Sequence, residues 1–105
     1  MKLVIAIVQS KDSATLIKRF TDEGIPNTKL ASTGGFLKEG NTTFLSAVEE
    51  RKVDNVLVCI KEVCQTREQV INQAPLLNGP GAYPVSVQVG GATVFIVDIE
   101  AFYRF

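Results

Sequence analysis

The sequence predicts an α+β fold of ferredoxin-like type, a βαββαβ sandwich with an antiparallel sheet, two helices on one face and one extra strand or hairpin. Two observations predict this fold. Runs of apolar and β-branched residues alternate with two helical segments in the order strand, helix, strand, strand, helix, strand, strand. The chain has 105 residues, 46% of them hydrophobic, which predicts one compact domain over residues 1–105.

The chain begins with a predicted strand and helix. Residues 3–8 form a nearly continuous apolar run, which is typical of a strand covered on both faces. Ser10 or Asp12 can cap the following helix, and Gly24 is a natural left-handed end for it. The apolar residues that share one face of this helix are Leu16, Ile17 and Phe20.

The middle of the chain supplies two strands and a second helix. Strand-like runs occupy residues 28–33 and 42–48, with a glycine-rich loop between them. Apolar residues then recur at helical spacing from Val53 to Cys64, which predicts an amphipathic helix ending near residues 65–66.

The last third is predicted to be a loop followed by a hairpin. Residues 67–84 lack strong periodicity and gather proline, glycine and asparagine, which is typical of a long surface loop. Valines then alternate with polar residues over 85–89, Gly90-Gly91 offers a tight turn, and residues 92–97 form another apolar run. We therefore expect strands 85–89 and 92–97 to pair with each other.

Composition excludes several classes of function. Eleven basic residues balance eleven acidic ones, so the chain lacks the positive field that favours DNA or an anionic membrane surface. Histidine is absent, which excludes a histidine zinc site or triad. Cys59 and Cys64 are five apart on a predicted helix, too poorly placed for a disulfide, so we expect reduced thiols and a cytoplasmic protein. The apolar run ending at Val8 is read as a buried strand, not as a secretory segment, and no apolar run is long enough for membrane insertion.

The first and last predicted strands are apolar on both faces, although two helices can cover only one. A second copy of the same sheet is the simplest cover for the other face, which predicts a homo-oligomer. The alternative is that small residues such as Ala6 and Thr93 form a partly solvated face that a monomer tolerates.

The glycine-rich loop carries more than a turn requires. Phe36 and Leu37 lie between Gly35 and Gly40, where an exposed hydrophobic pair is costly unless something covers it. We expect that cover to be a flat apolar ring of a ligand.

Several long blocks of this chain resemble the PII-like cyclic di-AMP receptor proteins. These blocks are KLVIAIVQ at the N-terminus, TKLASTGGFLKEGNTTFL, TREQ, YPVSVQVGGATVFIV and AF near the C-terminus. The resemblance implies a PII-like homotrimer without catalytic activity, which binds one cyclic dinucleotide in each cleft between neighbouring subunits. It needs no further cofactor and passes its signal by changing loop surfaces.

The resemblance also assigns binding positions, and three of them depart from the family pattern. Arg is common where this chain has Pro26, Gly where it has Ala47, and Gln where it has Arg104. Pro26 removes a cation, and the Ala47 methyl narrows the space for the base. The Arg104 guanidinium can replace an amide contact or reach a phosphate instead. The binding positions carried over are Pro26, Asn27, Thr28, Gly35, Phe36, Leu37, Asn41, Ala47, Phe95 and Arg104.

Physical roles for these residues have ordinary alternatives. Phe36 can stack on an adenine, or fold inward as a core residue. Gly34 and Gly35 can direct backbone N–H groups at a phosphate, or form only a turn. Asn41 can match the adenine edge, or merely begin a strand, and Thr28 can offer a hydroxyl or act only as a strand former.

Two other classes of function were weighed. Carboxylate pairs at Asp98 and Glu100 or at Glu49 and Glu50 would suit acid–base catalysis, but a solvated surface explains them better. A cysteine nucleophile lacks a histidine to activate it. The remaining alternative is a protein-docking module that uses the glycine loop and the 72–83 loop and binds another adenine nucleotide or none. The sequence identifies neither the downstream protein target nor the direction of the signal.

Overall fold

The computed structural model describes residues 1–30, 40–72 and 84–105, which form two sheets and two α-helices. The strands are β1 (Lys2–Gln9), β2 (Thr28–Leu30), β3 (Asn41–Val48), β4 (Arg67–Asn72), β5 (Pro84–Val89) and β6 (Ala92–Asp98). The helices are α1 (Ser10–Asp22) and α2 (Val53–Cys64), and a short 3-10 turn at Glu50–Lys52 precedes α2.

Four strands form an antiparallel sheet in the order β2-β3-β1-β6, and both helices pack on one of its faces. This arrangement confirms the predicted α+β, ferredoxin-like fold. Strand β1 is central because it pairs with both β3 and β6.

The core lies between the helices and the sheet. Val4, Ala6 and Val8 of β1 are buried beneath Leu16 and Phe20 of α1 and beneath the apolar side of α2. The Phe20 ring meets the Phe44 ring edge-on, with their centroids 6.1 Å apart. The alternation of buried and half-buried side chains along β1 follows from the pleat of a strand.

The predicted cap of α1 is wrong. Helix α1 does begin at Ser10, but Gln9 is its N-cap residue and makes no side-chain capping bond. The Ser10 hydroxyl is instead within 2.8 Å of the Thr42 hydroxyl, and Asp12 is buried in an ion pair with Arg67. The predicted end of α1 is confirmed, because Gly24 adopts a φ of +68° directly after it.

The predicted hairpin of strands 85–89 and 92–97 is also wrong, although both segments are strands. Strand β5 pairs with β4 in a separate two-stranded sheet, whereas β6 pairs with β1. Gly90 and Gly91, with φ of +87° and +99°, carry the chain from one sheet to the other instead of closing a tight turn.

The predicted loop over residues 67–84 is wrong at both ends. Residues 67–72 form β4, and β5 begins at residue 84, so the two strands form a ribbon. The rest of that segment, and the part of the predicted 28–33 strand beyond Leu30, lie outside the described residues.

Helix α2 offers a matched test of the core. Val56 is fully buried and Val58 is 47% exposed on the same helix. Val56→Ala should lower the free energy of unfolding by about 2 kcal/mol more than Val58→Ala, because it removes buried methyl groups and leaves a cavity. Helix propensity changes equally in both variants and cancels in the comparison. Urea denaturation measures the difference, and equal midpoints would contradict this account of the core.

Candidate functional site

The sheet face opposite the helices is a broad apolar surface, here called the open face. Its side chains alternate with those of the core along each strand. They belong to Leu3, Ile5 and Ile7 of β1, Thr43, Leu45 and Ala47 of β3, Phe95 and Val97 of β6, and Thr28 and Leu30 of β2. Phe95 is 53% exposed and Leu30 is 41% exposed. Both α-helices pack on the other face of the sheet, where the core lies.

Two predicted site residues lie at opposite edges of the open face. The sheet register places Thr28, Leu45, Ile5 and Phe95 in one row across the four strands. Three strand spacings separate the ends of that row, which is about 14 Å. A small ring cannot contact both Thr28 and Phe95 of one protomer at once.

Asn41 borders a polar groove at one end of the sheet. The groove has a volume of about 470 Å³ and is lined by Ile7, Val8, Gln9, Asn41, Thr66, Gly90, Gly91, Ala92 and Thr93. Asn41 lies opposite Gln9 in the β1–β3 ladder, and Gln9 accepts a 2.7 Å hydrogen bond from the Gly90 N–H at Oε1. Sequence reasoning assigned no site role to Gln9 or Thr66, because only the strand order brings them beside Asn41.

Ala47 and Pro26 lie together at the other end of β3. They line a small cleft of about 170 Å³ with Met1, Val48, Glu49 and Lys52. The Ser46 hydroxyl donates a 2.5 Å hydrogen bond to the Pro26 carbonyl, and Asn27 Nδ2 donates to the Ile25 carbonyl at 3.2 Å. Pro26 and Ala47 therefore border one cleft, and these hydrogen bonds hold the segment that leads into β2 beside it.

Arg104 lies in the exposed C-terminal segment that follows β6. Its guanidinium carbon is 5.9 Å from the centre of the Phe102 ring, and the Tyr103 and Phe105 rings stack on each other with centroids 6.1 Å apart. The predicted site residues Gly35, Phe36 and Leu37, together with Gly34, lie outside the described residues.

Thr43 carries a buried polar atom on the open face. Its hydroxyl has no hydrogen-bond partner among the described residues, and the side chain lies between Ile7 and Leu30 in the sheet register. Sequence reasoning did not single it out, because threonine is an ordinary strand former.

One carboxylate of each candidate catalytic pair, Asp98 and Glu49, is engaged in a surface ion pair. Asp98 pairs with Lys2, and Arg51 Nε lies 2.6 Å from Glu49 Oε2. The hydrogen bond from each cation holds the pKa of its carboxylate below the ordinary value. Neither group is therefore prepared to act as a general acid near neutral pH.

Both cysteines are free and buried. Two causes raise the Cys59 pKa to about 11: burial, which is the larger, and a 2.9 Å hydrogen bond to Glu23. Burial and the nearby Asp12 carboxylate raise the Cys64 pKa to about 11. A thiol with such a pKa is a poor nucleophile at neutral pH.

Over residues 1–30, 40–72 and 84–105, no group of histidine, cysteine, aspartate and glutamate side chains is arranged to hold a metal ion. Within the same ranges, no helix has the length and apolar character needed to span a bilayer.

Comparisons with known proteins give matches over all or nearly all of the chain. A family model described as "Cyclic-di-AMP receptor" matches residues 1–105. The chain is also similar to the crystal structure of a functionally unknown protein from Pediococcus pentosaceus ATCC 25745, with 48% sequence identity and a TM-score of 0.82. That match covers 99% of this chain and 96% of the other.

The raised thiol pKa values predict a loss of stability at alkaline pH. The folded thiols keep their protons up to about pH 11, whereas an ordinary thiol ionises near 9.0. Their contribution is present below pH 9 and is lost as the pH rises through 11, since the unfolded chain releases these protons first. Urea midpoints between pH 8 and 11 should therefore fall more steeply for the natural protein than for Cys59→Ala/Cys64→Ala. Parallel curves would rule out these thiols as the cause.

Proposed function

The chain belongs to the cyclic-di-AMP receptor family, and we propose that it binds cyclic di-AMP without reaction in clefts between the subunits of a homotrimer. The family is one of receptors and not of enzymes. The binding residues proposed among the described ones are Asn27, Thr28, Asn41, Ala47, Phe95 and Arg104. Gly35, Phe36 and Leu37 complete the proposed site from outside the described residues.

The observation that carries this proposal is the separation of Thr28 from Phe95 on the open face. One protomer presents its hydroxyl at the β2 edge and its aromatic ring at the β6 edge, three strand spacings apart. When sheets of neighbouring copies meet in a ring, the β2 edge of one copy comes next to the β6 edge of the next. A shared cleft then brings an aromatic ring and polar donors around one ligand.

The composition of the open face supports assembly. Phe95 and Val97 are about half exposed, and Leu3, Ile5 and Leu45 beside them are half-buried. Fully burying an exposed side chain of this kind contributes about 1.5–3 kcal/mol. Because these five side chains are already partly buried, covering each contributes roughly half of that, and together they still amount to a large share of the stability of a domain of this size. A second and third copy offer a surface of the same chemistry.

The contacts suit an adenine dinucleotide better than a highly charged polyanion. Asn41 can both donate to and accept from an adenine edge, and Phe95 offers a flat face for stacking. Arg104 supplies a cation for a phosphate from the exposed C-terminal segment, which also carries the Phe102, Tyr103 and Phe105 rings. The chain as a whole has no net charge, which suits a ligand that carries only two negative charges.

We further propose that ligand occupancy is passed on as an altered surface in a cytoplasmic protein. A binder without chemistry transmits a signal only through differential affinity for two conformations. The alternative, a docking module that binds another adenine nucleotide or none, predicts no response to cyclic di-AMP. The downstream protein target is unknown.

Calorimetric titration tests the proposal directly. Cyclic di-AMP should bind with one site per subunit, and excess ligand should raise the melting temperature. Phe95→Ala should weaken binding by roughly 5- to 150-fold, as expected for one lost base stack, while Val58→Ala, another exposed apolar position, should not change it. No heat and no thermal shift at high ligand excess would favour the docking module.

Mixing two variants tests whether the site is shared. Asn27→Ala/Thr28→Val impairs the β2 edge, and Phe95→Ala impairs the β6 edge. If the two edges of a site come from different protomers, subunits mixed in equal amounts and reassembled should regain natural affinity at about a quarter of the sites. An intact β2 edge is present at half of the sites, and half of those sites also receive an intact β6 edge. Titration of the mixture and of each parent measures this recovery. A site within one protomer would regain nothing.

A further inference from the structure

Both strands of the β4–β5 ribbon leave the sandwich from one point. Strand β4 begins at Arg67, three residues after α2 ends at Cys64, and β5 ends opposite it at Val89. The chain then passes through Gly90 and Gly91 into β6, and the Gly91 N–H donates to the Cys64 carbonyl. The start of one ribbon strand and the end of the other are thus held at the same place.

Arg67 links the base of the ribbon to α1 by pairing with Asp12. Its Nη2 lies 2.7 Å from Asp12 Oδ1, and its Nη1 is 3.5 Å from Asp12 Oδ2. Nη1 also donates to the carbonyls of Gln65 at 3.2 Å and Val63 at 3.4 Å. Asp12 is only 4% exposed, and a buried carboxylate is strongly destabilising without its partner. The guanidinium is therefore held firmly in this position.

Gly90 fits against the guanidinium so closely that no side chain can replace its hydrogen. A Cβ atom built there would lie 2.6 Å from Arg67 Nη1 and 2.5 Å from the Gln65 carbonyl oxygen. The Gly90 N–H donates to Gln9 Oε1 at 2.7 Å. We call Asp12, Arg67, Gly90 and Gln9 the clamp.

The clamp borders the groove that contains Asn41. Gln9 lies opposite Asn41 in the sheet, and Gln9, Asn41 and Gly90 all line the groove. Beyond its base, the described part of the ribbon has few contacts with the sandwich, and one of them is the 2.8 Å hydrogen bond from Lys11 Nζ to Gln69 Oε1. The direction of the ribbon is therefore set mainly at its base, next to the groove.

We propose that Arg67 is a positioning residue that couples this groove to the ribbon, so that a ligand contacting Asn41 restrains the ribbon through Gln9, Gly90 and Arg67. The coupling rests on the proposed binding of cyclic di-AMP, whereas the anchoring of the ribbon by the clamp does not. A ligand in the groove limits the motion of the Gln9 side chain. Because Gln9 Oε1 accepts the hydrogen bond from the Gly90 N–H, the position of Gly90 is restrained as well, and Gly90 packs on the Arg67 guanidinium.

Hydrogen exchange of the ribbon amides tests the clamp without ligand. Gly90→Ala introduces the collision with Arg67, and Gly24→Ala is its control, because Gly24 also has a positive φ but open space around its Cβ position. Arg67→Lys keeps the charge but loses the planar fork that reaches Asp12 and two carbonyls. The amides of residues 68–70 and 85–89 should exchange at least about tenfold faster in Gly90→Ala and Arg67→Lys than in Gly24→Ala or the natural protein. Equal ribbon exchange in all four proteins would overturn the anchoring.

Addition of cyclic di-AMP tests the coupling. Saturating ligand should slow ribbon exchange by about tenfold or more in the natural protein and in Gly24→Ala. Arg67→Lys should still bind the ligand, because Arg67 is not among the residues that line the groove and Asn41 is unchanged, but the ligand should no longer slow exchange in its ribbon. Equal slowing in Arg67→Lys and in the natural protein would overturn the coupling. Failure of the natural protein to bind cyclic di-AMP would overturn the proposed function and the coupling, while the ligand-free comparison would still decide whether the clamp anchors the ribbon.

Discussion

The structure depends on one constraint, which is that its central strand is apolar on both faces. Val4, Ala6 and Val8 of β1 are buried by the helices, while Leu3 and Ile5 of the same strand face away from them. A strand with two apolar faces needs cover on two sides, since exposed apolar area of this extent is unfavourable in water. Two helices are enough for one side only. The second side links the fold to the proposed function, because it carries Thr28 and Phe95, two of the proposed binding residues.

The junction between the sandwich and the ribbon depends on an electrostatic interaction instead of an apolar one. Asp12 and Arg67 form a charge pair whose carboxylate is buried, so losing either partner would leave an uncompensated charge. The pairs of Lys2 with Asp98 and Arg51 with Glu49 are at the surface, where solvent and salt weaken such attractions. Among the ion pairs of the described residues, the Asp12 pair is the one with a buried carboxylate, and it lies where the ribbon begins.

The helices and the main sheet could be predicted from the sequence because their signal is local. Val53, Val56 and Ile60 recur with the period of a helix that has one buried side, and the run at residues 3–8 is apolar throughout. Strand β4 was missed because its sequence, REQVIN, shows no alternation of apolar and polar residues, and residues 68–70 of that strand are exposed. The pairing of β5 was mistaken because Gly90-Gly91 suggests a tight turn, whereas the contacts that place β5 beside β4 are not visible locally.

Long-range effects also limited prediction of the candidate site. Asp12 was predicted to cap α1 because it lies near the start of that helix. Its actual partner, Arg67, is 55 residues away in the sequence, so the local pattern does not reveal the pair. The resemblance named Thr28, Asn41 and Phe95, but their placement follows from the strand order β2-β3-β1-β6. The distance across that sheet, which argues for two protomers at one site, cannot be obtained from residue spacing. Gln9 and Thr66 border the groove for the same reason.

The chemistry of these residues fits binding followed by release of an unchanged ligand. The Glu49 and Asp98 carboxylates are engaged by cations that lower their pKa, and the pKa of each thiol is about 11. The polar and aromatic groups among the residues that line the open face and the groove are instead amides, hydroxyls and the Phe95 ring, which form hydrogen bonds and stacking contacts without transferring protons. A ligand held by such groups acts only by favouring the conformation that binds it better. Since the groove at Asn41 adjoins Gln9 and Gly90, the ribbon is the element best placed to differ between the two conformations.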